Sequence, residues 1–143
     1  MDWYLAFLAV FLLAAVELWL AVPVGFALGL NPALVAVAGA TGAIAGAWGV
    51  LLLGEHVRER LLRGQKERAP RSGRMGMIWQ RYGVVGLGLL APLLIGAPIG
   101  TAVGVALGAR PRPLMLWMSA GAVLAAAVLV AAVLLGLRSL GAA

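Results

Sequence analysis

Glu17 is the only charged side chain between Trp3 and Gly54. An ionised carboxylate inside so apolar a run is costly, by about 2.5–3.5 kcal/mol at the centre of a membrane helix. Burial also favours the protonated acid, which suits a group that takes up and releases protons. Two roles are open to Glu17: a proton-coupling carboxylate in the membrane, or an interfacial side chain reaching for water beside Trp19. Arg110 and Arg112 form the second candidate set, in the string Arg110-Pro111-Arg112-Pro113. Guanidinium groups hold phosphate or carboxylate through paired donors. They also serve simply as topology charges at a membrane surface. Asn31, in Asn31-Pro32, is a third polar residue that could contact a substrate, and equally a helix cap.

Other chemistry finds little support. His56 is the single histidine and there is no cysteine. Glu55, His56 and Glu59 offer two carboxylates and one imidazole, a weak set for a metal, so no metal is expected. No cofactor is expected either, because the chain carries no phosphate-binding or dinucleotide fingerprint. An enzyme is not expected.

The elements that must position these residues are set by hydropathy. The chain is 64% hydrophobic and 11% charged, where soluble domains run near half and a quarter. An all-α integral membrane protein follows. Met1-Asp2-Trp3 lacks a positive n-region, so the opening segment reads as a retained helix rather than a cleaved signal. Residues 55–81 hold eight basic residues against three acidic ones. By the positive-inside rule this loop faces the cytoplasm of a cell (inner or plasma) membrane, crossed several times. The loop suits anionic lipid; nucleic acid is not expected as a partner. Three parts result: a first membrane unit over 1–54, a basic loop over 55–80 and a second membrane unit over 81–143.

Within the first unit, Trp3 to about Leu20 reads as a helix, Val22 to Leu30 as a half-helix too short to span, and Ala33 to Leu53 as a full span. Pro23 suits a first helical turn and Pro32 a new helix start. Gly25 and Gly29 share one face and permit close contact. The Leu30-Asn31-Pro32 turn then lies at membrane depth and lines a protected site, the alternative being a simple helical hairpin with Pro23 and Pro32 in a surface loop. In the second unit Pro98 repeats the role of Pro23. Gly96, Gly100, Gly104 and Gly108 form a ladder for tight packing, and Leu114 to Leu137 is a full span.

Val22 to Leu30 can be laid over Ala97 to Val105, matching Pro23 with Pro98, Gly25 with Gly100 and Gly29 with Gly104. Two pseudo-symmetric repeats follow, each with a re-entrant half-helix and a full transmembrane helix. Interrupted segments at matching places in two halves point to a transporter's binding site. In this pairing Glu17 falls on Pro92, so only the first repeat has the acid. So small a unit is expected to work as a homo-oligomer, most simply a dimer.

Glu17 to Gly25, then Gly29 to Pro32, a basic loop, Arg81-Tyr82-Gly83, and Gly96 to Ala102 together resemble the small multidrug export protein family. That family is distantly similar to the DedA-type membrane proteins, which carry paired re-entrant hairpins and are associated with transport of lipid-phosphate carriers. Related sequences often set a positive residue beside the first acid; here Leu18 and Trp19 stand there. The resemblance implies transport. Three readings follow: proton-linked export of hydrophobic or amphipathic small molecules, with Glu17 meeting Arg110 or Arg112 between the two proline turns; a lipid-phosphate flippase or scramblase; or a membrane scaffold without flux.

Overall fold

The computed structural model describes residues 2–62 and 82–141. The basic cluster beyond Leu62, with Arg81, lies outside the described residues, as do the side chains of Glu55 and Glu59. The described chain is all helical. Six helices follow in order: α1 (Trp3–Val16), α2 (Leu18–Ala27), α3 (Pro32–Leu62), α4 (Val84–Leu94), α5 (Ala97–Ala106) and α6 (Pro111–Gly141). Two are long and apolar enough to cross a membrane, over Pro32–Gly54 and Pro111–Ser139. The 23-residue stretch of α3 spans about 35 Å at 1.5 Å per residue, slightly more than a hydrocarbon core.

The other four helices are short, and they pair. Helix α1 does not run on to Leu20. It stops at Val16, and Glu17 alone, extended at φ −148° and ψ 106°, joins it to α2. The chain doubles back there, because a Cβ built on Gly25 would lie 3.2 Å from Val10 of α1. Helices α4 and α5 double back in the same way about Ile95 and Gly96, with Gly100 against Ala91. Pro23 and Pro92 sit inside α2 and α4. Pro23 therefore does not open its helix as its sequence suggested, whereas Pro98 does occupy the first turn of α5.

Each hairpin leads into its long helix through one turn. After α2, Gly29 N–H donates to the Phe26 carbonyl at 3.0 Å and Leu30 N–H to that of Gly25 at 3.1 Å. After α5, Gly108 N–H donates to Val105 at 3.0 Å and Ala109 N–H to Gly104 at 2.9 Å. Both are Schellman closures, which require a left-handed residue. Gly29 and Gly108 supply it at φ 77° and 78°. These two are therefore turn residues and not rungs of a packing ladder. The turns match at one constant sequence separation: Gly25 with Gly104, Gly29 with Gly108, Pro32 with Pro111, Gly42 with Gly121. The pairing of Pro23 with Pro98 is out by about one helical turn.

Small residues let the hairpins lie on the long helices. Gly42 and Gly46 of α3 meet the backbone carbonyls of Phe11 and Ala15 in α1. Gly121 of α6 meets the Gly88 carbonyl of α4. Pro92 has no N–H to offer that Gly88 carbonyl, and Ala15 lies in the last turn of α1, where carbonyls lack helical donors. At Gly46 and Gly121 glycine Cα–H groups are thus set against carbonyls left open by the helix ladder, a weak but recurrent contact between membrane helices. Helices α3 and α6 run antiparallel, since Gly39 approaches Ala126 while Leu52 lies beside Arg112 and Leu116. Two core clusters result. One joins the first hairpin to the start of α3 and to Ala125–Val130 of α6. The other joins the second hairpin to the start of α6 and to Ala43–Leu51 of α3.

Candidate functional site

The two hairpin tips meet. Glu17 forms the first, and its backbone N–H donates to Leu13 at 2.7 Å while its carbonyl accepts from Ala21 at 3.3 Å. Its side chain, half-buried, turns back over the start of α2, where Oε1 accepts from Trp19 N–H at 3.4 Å. The Glu17 carboxylate then faces the second tip: a Cβ on Gly96 would lie 3.6 Å from Oε2. Trp19 fastens the tips together, its indole Nε1 donating to the Leu93 carbonyl at 2.6 Å. Trp19 is thus a bridge between the hairpins.

The local chemistry follows from helix ends. Helices α2 and α5 both begin at this point, and helix N-termini carry partial positive charge and open N–H groups. Both helix starts leave backbone N–H groups open beside the Glu17 carboxyl group. Gly96 lets the second tip come close, because its φ of 87° and ψ of 147° lie in a region essentially reserved for glycine. Thr101, the one buried polar side chain in the described core, does not join the site; its hydroxyl donates to the Ala97 carbonyl of its own helix at 2.8 Å.

The other sequence-selected residues lie elsewhere. Asn31 is exposed and caps α3, its Oδ1 accepting from Leu34 N–H at 2.8 Å. Helix α2, with 10 residues, separates that turn from Glu17 by about 15 Å. Arg110 and Arg112 are exposed at the far end of α5 from Gly96, a similar distance away. The structure therefore does not bring Glu17 and the arginines together: a cavity of about 480 Å³ between α3 and α6 is lined by Arg112 and not by Glu17 or Asn31. Pro32 opens α3. Gly25 packs on Val35, Gly100 on Met118 and Gly104 on Leu114, all as close helix contacts. Among the described residues no group of acidic, histidine or cysteine side chains could hold a metal.

Gly96, Trp19 and Leu93 complete the site and were not selected from the sequence as site residues. Gly96 had a readable signal, since glycine before Ala97-Pro98 marks a helix start. The Leu93 contribution is a main-chain carbonyl, which no side-chain pattern reveals.

Comparison with curated proteins and with solved structures found no match. Residues 17–128 match the family described as "Putative small multi-drug export protein". The match begins at the tip carboxylate and runs past the close contact of Gly121 on α4, so it takes in both hairpins' meeting point and most of both long helices. This all-helical membrane chain therefore belongs to the small multi-drug export protein family.

Proposed function

We propose that the protein is a small secondary transporter of the cell membrane that exports hydrophobic or amphipathic small molecules in exchange for protons, with Glu17 as the coupling group. The observation that carries this is the lone carboxylate held where two broken helix pairs meet. In this reading α1–α2 and α4–α5 are re-entrant hairpins entering from opposite faces. The antiparallel course of α3 and α6 supports an inverted repeat of units 1–54 and 81–143, with the basic loop between them on the cytoplasmic side. Irregular backbone at membrane depth needs cover from protein or a wet cavity. A homodimer supplies that cover at the exposed flanks of the tips, where Val16 and Leu94 are 72% and 67% exposed.

Proton exchange at Glu17 would alternate the site between a carboxylate held by two helix N-termini and a neutral acid that releases them. No covalent chemistry, metal or cofactor enters this cycle. A lipid-phosphate flippase of the DedA type would need a guanidinium near the tips, and Arg110 and Arg112 stand one short helix away. A fluxless scaffold would leave the tip carboxylate only its cap on α2.

The test is counterflow in proteoliposomes under an imposed pH gradient, with several amphipathic cations as substrates. Glu17→Gln is expected to remove gradient-driven flux while the purified protein keeps its elution volume and helical content. Glu17→Asp should retain part of the flux with a shifted pH profile. Wild-type flux in Glu17→Gln would remove Glu17 from the mechanism.

A further inference from the structure

The cavity between α3 and α6 lies apart from the hairpin tips and has its own chemistry. Its walls are Trp48 and Leu52 from α3, and Met115 and Leu116 from α6, with Ser119 at one end and Arg112 at the other. Trp48, Leu52 and Leu116 are 48%, 59% and 64% exposed, and all three lie within the two membrane-crossing stretches. The groove therefore opens sideways to the surrounding lipid. Because α3 and α6 are antiparallel, Trp48 and Ser119 mark its deep end and Leu52 with Arg112 its shallow end. From Arg112 to Ser119 the groove runs about 10 Å along α6, against about 15 Å for one leaflet's hydrocarbon.

Arg112 has no ion-pair or hydrogen-bond partner among the described residues. The helix end beside it offers little to an anion, because Pro111 and Pro113 both lack an N–H. The guanidinium is thus the donor at the mouth of a slot that is apolar up to Ser119 at its deep end. We infer that this groove is a binding site for one anionic phospholipid, with its phosphate on Arg112 and one acyl chain laid between Trp48 and Leu116. The site is on the membrane side that carries the basic loop, where anionic lipid is drawn by neighbouring positive charge. It does not rest on the transport reading and uses none of the tip residues.

The experiment uses the full chain in phosphatidylcholine vesicles containing brominated phosphatidylglycerol. Quenching specific to the groove is the difference between wild type and Trp48→Phe. Brominated phosphatidylglycerol is expected to quench that component with about fivefold higher apparent affinity than brominated phosphatidylcholine, the preference of one basic side chain for an anionic lipid. Arg112→Gln should abolish the preference and Arg112→Lys should keep most of it, while Glu17→Gln should leave it intact. Equal quenching by the two lipids, or an undiminished preference in Arg112→Gln, would overturn the site. Relief of quenching by inorganic phosphate alone, at constant ionic strength, would show that the groove reads a free anion and would equally overturn it.

Discussion

At the scale of single residues, Gly96 is under the strictest conformational demand in the tip site. Its backbone, at φ 87° and ψ 147°, is one that a side chain resists at a cost of about 1–3 kcal/mol. A Cβ there would meet only ordinary contacts, the nearest being Glu17 Oε2 at 3.6 Å. Gly96→Ala should therefore destabilise through the backbone alone and lower the thermal midpoint in detergent. Gly29→Asn is the matched control: the turn is left-handed, a Cβ meets nothing within 4 Å, and asparagine tolerates that conformation. A midpoint that falls as far for Gly29→Asn as for Gly96→Ala would contradict this account. Glu17 was visible in the sequence because a lone acid in an apolar run is conspicuous. The chain break at Glu17 was not visible, because glutamate is a good helix former and Leu13 to Trp19 contains no breaker.

At the scale of elements, the small-residue contacts of the long helices decide whether the hairpins seat. Gly42→Val would place a side chain on the Phe11 carbonyl, and Gly121→Val on that of Gly88. Overpacking of this kind costs about 1–3 kcal/mol or more where backbone must move. Each variant should yield protein that elutes early or aggregates. Gly49→Val, which meets nothing within 4 Å, should behave as wild type. Helix starts were legible from Pro32 and Pro98, whereas the last span, expected from Leu114, opens one turn earlier at Pro111. Identical Pro-x-Gly strings at Pro23 and Pro98 pair the halves at one separation, whereas the left-handed turn glycines match at another. The physically equivalent residues are the turn glycines, Gly29 and Gly108, whose left-handed conformation fixes where each hairpin ends. The supposed meeting of Glu17 with Arg110 or Arg112 failed for a related reason. It assumed that the site lay at the proline turns, whereas each short helix carries its turn away from the tips.

At the scale of the whole molecule, the antiparallel long helices set Asn31 and Arg110 at opposite ends of the structure. Single-cysteine labelling reads this directly, because the chain has no native cysteine. Asn31→Cys should react with a membrane-impermeant maleimide from one face of the membrane only, and Arg110→Cys from the other face only. Labelling of both from one face would refute hairpins that enter from opposite sides. The two core clusters carry a further consequence, for synthesis. The first hairpin leaves the ribosome before α3, and its cluster still lacks Ala125, Ala126, Leu129 and Val130 of α6. While it waits, residues 3–27 are long enough to sit across the bilayer as an ordinary span. The tip at Glu17 gains its partner only once Leu93 and Gly96 of the second hairpin have been made, and its core cluster is complete only once Val130 has. A ribosome stalled before Leu93 would therefore hold a nascent chain whose first hairpin still lacks the tip it meets.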